Sequence, residues 1–392
     1  MGKKHEFKVI ASIADIHIAN KVMSWKEYKY QLKHGVIEKL EQMRFLDMIV
    51  VCGDMLHTQI SMNSDYANVF FWFVSKLVKI AKKKDAIIRI IKGTKSHDLD
   101  QLDTIKFYED DPDLNFKVID DYMIETIDGL NYAYIAENYI DIPVKEYYSD
   151  IFDKSNGYFD IIFGHMTIEQ TQFHEQTSEN LNSQAPIFKL KDFYKVSNLI
   201  ISGHIHTPMN FNDRFFYIGS TLRTCHGEEH DKGWNVITYL PKEKLYRVDK
   251  IVNEYTLNFY ILELSNKFIE TNDIDHIVDY IESYIEKNKI DKLSLRVTCI
   301  DKEETTVKIE LLKKYFIKNT NITTCFKILS EKSYEQELKH SVKRELKPYL
   351  KEGLDITEQI KLWALTERNY RLETEDILRF ITPERYERKN IN

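Results

Sequence analysis

The stretch Ile200-Ile201-Ser202-Gly203-His204-Ile205-His206 runs an apolar segment straight into two imidazoles one residue apart. Neutral imidazole is the commonest protein metal ligand, and alternate residues of an extended chain point to opposite faces, so His204 and His206 could serve two neighbouring ions. Two satisfied polar histidines would explain the same tripeptide, so partners elsewhere must decide. The same punctuation recurs along the chain. Asp15 and His17 follow one apolar run, Cys52-Gly53-Asp54 closes a second, Gly93-Thr94-Lys95-Ser96-His97-Asp98 a third, and Gly164-His165 a fourth. Together these ends offer Asp15, His17, Asp54, Ser96, His97, His165, His204 and His206. Carboxylate oxygen mixed with imidazole nitrogen suits Mn, Fe or Zn better than a calcium cage. A bridging carboxylate lets two such ions sit about 4 Å apart, where they can activate water and neutralise a phosphoryl transition state. Phosphoester hydrolysis is the reaction class expected.

The elements that must position these residues alternate in type. Residues 7–13, 46–51 and 86–91 read as buried strands, with helical patterns over 25–45 and 66–81 between them. The second helix carries Phe71 and Trp72 beyond one apolar face, which suits either a helix buried in its own domain or one shared between the sheet and a second subunit. Asp128-Gly129 predicts a hairpin between 122–127 and 130–135. Strands at 159–163, 199–202, 214–218 and 234–239 follow. This order predicts an α/β fold, a two-sheet sandwich with its polar loops at one edge. We place that domain at 1–248. A small α/β capping domain at 249–331 follows, with a helix at 274–287 and strands at 293–299 and 323–329. A polar, helix-prone tail occupies 332–392, with apolar faces around Ile360 and Trp363 and around Ile377 and Leu378.

Composition bounds the function. The 392 residues are 43% apolar, enough for a sizeable core, and the net charge of -7 with a pI near 6.0 argues against a uniformly basic nucleic-acid wrapper. Four scattered cysteines form no Cys-x-x-Cys pair, so neither a zinc ribbon nor a disulfide scaffold is indicated and a reducing cytoplasm is expected. No secretory leader and no membrane span are expected, because no run of about 18 apolar residues occurs.

With these residues in place, the chain resembles the calcineurin-like metallophosphoesterases, whose pattern is Asp-x-His, Gly-Asp, Gly-Asn-His-Asp or Glu, Gly-His and Gly-His-x-His. Within that superfamily it is similar to the SbcD nucleases, bacterial counterparts of the Mre-eleven repair nuclease. The likeness covers residues 8–239. Its specific marks are Gly53-Asp54-Met55-Leu56-His57, then Tyr217-Ile218-Gly219-Ser220, Gly227-Glu228 and Lys232-Gly233-Trp234.

The resemblance implies that Asp15, His17, Asp54 and His206 hold one metal and that Asp54, bridging, holds the other with His165 and His204. It implies that His97 orients the scissile phosphate and helps stabilise or protonate the leaving oxygen, that His57 touches the phosphate, and that Asp98 fixes the His97 tautomer. The chain departs from the pattern at Gly93-Thr94-Lys95-Ser96-His97: two residues are added and the asparagine ligand is missing. Ser96 stands before the histidine, with Thr94 or water as substitutes, so a loosened second site is expected. The function implied is a Mn-dependent DNA endo/exonuclease with two divalent ions, a homodimer acting with an SbcC-like SMC-family ATPase in recombination and repair. The alternatives are a small-molecule or protein phosphoesterase, which would share every ligand, and a non-catalytic scaffold that binds DNA ends.

Overall fold

Buried parallel strands need apolar residues on both faces, and the chain supplies them in alternation. In β1 (Lys8–Ile13), Ile10 faces one core while Ala11 and Ile13 face another. In β2 (Met48–Cys52), Met48, Val50 and Cys52 point one way and Ile49 and Val51 the other. The computed structural model describes residues 6–171, 185–228, 230–300, 302–317, 319, 321–330 and 333.

Between β1 and β2 lie α1 (Trp25–Leu32), a π turn at Lys33–Ile37 and α2 (Glu38–Gln42). Ser24 and Glu27 form a reciprocal capping box that starts α1. The π turn carries Gly35, whose carbonyl accepts the buried Trp234 indole N–H at 3.0 Å. Next come α3 (Asp65–Lys84), β3 (Ile87–Ile91), a 3-10 segment at Leu99–Asp110, and β4 (Phe116–Ile119). The hairpin β5 (Tyr122–Ile127) and β6 (Leu130–Ile135) turns at Asp128-Gly129, both at positive φ.

The chain continues through α4 (Val144–Tyr147), α5 (Ser149–Phe152), β7 (Ile161–His165), β8 (Thr167–Ile168), β9 (Ile187–Phe188) and α6 (Leu190–Val196). It then forms β10 (Ile200–Gly203), β11 (Met209–Phe211), β12 (Phe215–Tyr217), β13 (Gly233–Leu240) and β14 (Leu245–Val252).

Two six-stranded sheets result, ordered β14-β13-β1-β2-β3-β4 and β11-β12-β10-β7-β6-β5. Strands β1 to β4 run parallel in the first, and β6, β7, β10 and β12 run parallel in the second. A core containing Ile10, Val50, Ile91, Tyr134, Phe163 and Ile201 lies between the sheets. A second packs α1 and α3 on the outer face of the first sheet, and a third packs α5 and α6 on that of the second. The layering is the expected α/β sandwich.

The boundary expected after residue 248 falls inside β14, whose pairing with β13 keeps the chain in the first sheet to Val252. Contacts divide the chain into Met1–Tyr260 with Ile290–Lys292, and Ile261–Lys289 with Leu293–Asn392. The smaller unit contains most of β15 (Phe259–Leu264), α7 (Asn266–Thr271), α8 (Ile274–Asn288), all but the first residue of β16 (Lys292–Ile300), α9 (Glu303–Phe316) and β17 (Ile322–Leu329). Its sheet runs β15-β16-β17, and Leu293, Leu295, Val297 and Cys299 alternate into its interior. The helical tail expected at 332–392 lies, residue 333 apart, outside the described residues. No helix among the described residues is long and apolar enough to cross a membrane.

Candidate metal centre

Six parallel strands deliver the site at their C-terminal ends. Asp15 and His17 follow β1, Asp54 follows β2, Thr94 follows β3, Glu137 follows β6, His165 ends β7, and His204 and His206 follow β10. Asp15, His17 and Asp54 each adopt φ 50 and His204 φ 87, left-handed backbone that costs about 1–3 kcal/mol per non-glycine residue and clusters at functional sites. Gly53 is required twice over. Its φ is +83, and a Cβ there would lie 2.2 Å from Nδ1 of His165. The loop carrying His17 is anchored by the buried Tyr28 of α1, whose hydroxyl donates to the His17 carbonyl at 2.7 Å.

Hydrogen bonds decide which ring nitrogen faces inward. His165 donates from Nδ1 to the Cys52 carbonyl at 2.9 Å, so its Nε2 points inward, 3.4 Å from Asp54 Oδ2. His206 presents Nδ1 to Glu228 Oε1 at 2.6 Å, leaving Nε2 only 2.9 Å from Nε2 of His17. His17 Nε2 is in turn 3.6 Å from the same Asp54 Oδ2, which therefore sits between the two groups of ligands. Both Asp15 oxygens accept the backbone N–H of His204 at 3.1 Å.

The donor atoms gather into sets whose members all lie within 4.8 Å of one another: Asp15, His17 and His206; Glu137, His165 and His204; Asp15, Asp54 and His165; and His17, His57 and His97. The mixed oxygen and nitrogen donors of the first three sets fit two divalent ions of the Mn, Fe or Zn kind.

The electrostatics favour a cation here. Burial opposes ionisation of Asp54, yet the His165 and His17 imidazoles hold its carboxyl well below the usual range. Burial likewise opposes charge on His165, but Asp54 and Asp15 raise it well above an ordinary histidine. Burial, with neighbouring His206, His97 and His57, pushes His17 well down, leaving it a neutral donor. Burial raises Asp15. His206 is raised by its bond to Glu228 against the cost of burial.

Asp15, His17, Asp54, His165, His204 and His206 are thus brought together, and His57 and His97 join them at one flank. The His57 and His97 rings stack at 5.1 Å and 25°, and each meets His17 edge-on.

Two expectations are corrected. Ser96 is exposed and does not take the asparagine position. The added residues Lys95 and Ser96 bulge outward in a turn closed by the amides of His97 and Asp98 on the Thr94 carbonyl, at 2.8 and 3.2 Å. Thr94, the substitute named for it, lies beside the ligands: its amide reaches Asp54 Oδ1 at 2.6 Å, and its hydroxyl lies 3.3 Å from Asp54 Oδ2 and 3.4 Å from His165 Nε2.

Asp98 does not orient His97 either. Its carboxylate accepts the amides of Asp54, Leu56 and Gly93 at 3.0, 3.0 and 2.8 Å, while His97 Nδ1 is held by the His57 carbonyl. Burial and the Asp54 charge push Asp98 up to about 6.

Glu137 was missed. It is 6% exposed, with Oε2 3.2 Å from His204 Nδ1 and 3.8 Å from His165 Nε2. The signal available was the rhythm itself, an apolar strand running into a carboxylate at Ile135-Ala136-Glu137 just as Ile13-Ala14 runs into Asp15, though without a histidine beside it.

A family model described as calcineurin-like phosphoesterase matches residues 8–208, just over half of the chain. No curated protein matches. Among solved structures, one is 10% identical over 62% of this chain and 99% of its own, with a TM-score of 0.35. Another, a protein of unknown function from Aquifex aeolicus, is 17% identical over 52% of this chain and 82% of its own, with a TM-score of 0.23.

Proposed function

We propose, from the premise that this chain belongs to the calcineurin-like phosphoesterase family, that it is a metal-dependent DNA endo/exonuclease of the SbcD and Mre-eleven type. Hydrolysis of a phosphoester by divalent metal ions is the family's chemistry; DNA as substrate, and manganese as the metal, are the proposal. The observation that carries it is the stacked pair of His57 and His97 beside the metal ligands. His57 stands three residues after the bridging Asp54, the mark that the nucleases of this superfamily share with this chain.

Asp15, His17, Asp54 and His206 would hold one ion, and Asp54, His165 and His204 the other. When bound, such ions supply Lewis acidity and offset the charge that develops on a phosphoryl group. The side chains do the rest. With its Nδ1 on the His57 carbonyl, His97 keeps Nε2 free to carry a proton, and that atom faces the ligands, 4.0 Å from Asp54 Oδ2. Donation of that proton to the departing 3′ or 5′ oxygen is a general-acid step worth about 10²–10⁴ in rate. His57, kept largely neutral by burial and by its neighbour His97, offers a ring N–H to a phosphoryl oxygen.

The partners belong to the same reading. An SbcC-like SMC-family ATPase would dock on residues 332–392, and a homodimer would use the side of α3 where Phe71 and Trp72 remain half-buried. The four thiols are free, in keeping with a cytoplasmic protein.

Purified protein given Mn²⁺ with linear duplex DNA, single-stranded DNA and a small phosphodiester tests the substrate. Cleavage of DNA is expected. Turnover of the small diester alone would point to a small-molecule or protein phosphoesterase, and binding of DNA ends without turnover of any substrate to a scaffold. Co-purification with a coiled-coil ATPase, lost on deleting 332–392, tests the partner.

A further inference from the structure

We propose that Glu137, assisted by the Thr94 hydroxyl, takes the place of the asparagine of the family pattern as a ligand of the second divalent ion; this rests on the two-ion centre described above. The consequence is a second site with one more negative charge than an asparagine would give it, held more firmly rather than loosened.

A carboxylate as buried as Glu137 must be paired with a cation or bind a metal. Among the described residues no lysine or arginine pairs with it; its partners are the imidazoles of His204 and His165, and its contacts converge on one oxygen. Oε2 lies 3.2 Å from His204 Nδ1, 3.8 Å from His165 Nε2 and 3.5 Å from Thr94 Oγ1. Those atoms meet one another as well: His204 Nδ1 is 3.3 Å from His165 Nε2, and Thr94 Oγ1 is 3.4 Å from His165 Nε2. Asp54 Oδ2 closes the ring at 3.4 Å from His165 Nε2 and 3.3 Å from Thr94 Oγ1.

Spacings of this size are those between neighbouring ligands that each stand ~2.1 Å from a shared ion. The local sequence accounts for the exchange. Lys95 and Ser96 bulge out of the β3 loop and carry the usual ligand position away, while β6, the neighbour of β7, ends two residues before Glu137 and delivers its carboxylate beside His165.

Mn²⁺ titration of the full chain tests this, with bound ions counted by elemental analysis and the coupled pair read by electron paramagnetic resonance. Wild type is expected to bind two ions with a spin-coupled signal. Glu137→Ala should bind one ion at concentrations that saturate wild type, with affinity for the second reduced beyond the ~10–100-fold that loss of an outer hydrogen-bond partner costs. Glu137→Gln, which restores a neutral amide oxygen and preserves shape, should bind both ions with the second weakened. Ser96→Ala should keep both unchanged.

A Glu137→Ala protein that keeps two coupled ions within about 100-fold of wild-type affinity overturns the proposal, leaving Glu137 as a hydrogen-bond partner of His204. Should Glu137→Ala fail to melt cooperatively, Glu137→Gln decides: unaltered affinity for both ions overturns the proposal. Failure of the two-ion centre itself looks different, since wild type would then take up no ion pair, or Asp54→Ala would retain both ions.

Discussion

Asp98 Oδ2 accepts the backbone N–H of Asp54 at 3.0 Å, so the residue expected to steer a catalytic imidazole instead fixes the backbone of the carboxylate that lies between the two groups of candidate ligands. The same oxygen takes the Gly93 amide at 2.8 Å and its partner oxygen the Leu56 amide at 3.0 Å, joining the loops after β2 and β3. Asp98→Ala strands three buried donors, each costing about 1–3 kcal/mol. Denaturant unfolding of the metal-free protein should show a loss of at least about 3 kcal/mol, and Asp98→Asn, which keeps one good acceptor, a smaller one. A loss under about 1 kcal/mol for Asp98→Ala would show that water replaces the carboxylate.

Glu228 acts on His206 in the same indirect way. Its Oε1 is 2.6 Å from His206 Nδ1, and its Oε2 accepts the Thr224 amide at 2.7 Å and lies 3.4 Å from the buried Lys232 ammonium. Removing a carboxylate that orients a metal-binding histidine typically costs about 10–100-fold in metal affinity. Glu228→Ala is expected to weaken the first Mn²⁺ by that amount in a calorimetric titration. Unchanged affinity with an intact melt would remove Glu228 from the centre.

How far the centre was legible depends on what each residue's role rests on. Asp15, His17, Asp54, His165, His204 and His206 could be read because buried parallel strands are continuous apolar runs, and a polar residue at their ends stands out. Glu137 follows its strand with no histidine beside it and is one acidic residue among 62, so only the pairing of β6 with β7 singles it out. Thr94 against Ser96 was settled by how a five-residue turn closes, and the task of Asp98 by amides from two loops that sequence separates. Strand β14 escaped notice because its alternating polar residues lack a buried strand's signature, and the 3-10 segment at Leu99–Asp110 because it mixes charge and apolar residues without a period.

His97 and Asp54 should separate chemistry from metal binding. His97→Ala removes a ring that faces the ligands without belonging to the two ion sets, so both Mn²⁺ ions should stay while phosphoester hydrolysis, of DNA in the proposal above, falls about 10²–10⁴-fold. Asp54→Ala removes the oxygen shared between His17 and His165 and should empty both sites. Loss of an ion from His97→Ala, seen by elemental analysis, would make that histidine a ligand and refute its assignment as proton donor.

The last expectation concerns Lys250, on β14, whose ammonium donates to the Ile218 carbonyl. Burial, with the nearby Lys232 charge, pushes it down to about 8, against the opposing pull of Asp15 and Asp231. In the unfolded chain a lysine titrates near 10.4, so between about pH 8 and 10.4 the unfolded state holds a proton that the folded state has released. Stability then rises with pH through that window, and below about pH 8 the folded protein bears the full cost of a poorly solvated charge. Lys250→Met removes that cost. A tenfold change in proton affinity corresponds to ~1.4 kcal/mol, and the partial exposure of the side chain reduces the total to about 1–2 kcal/mol. Urea unfolding of the metal-free proteins should find the variant more stable by that amount at pH 7 and nearly equal to wild type at pH 10. An equal difference at both values would mean that the substitution acts through packing and that the lysine charge costs the fold nothing.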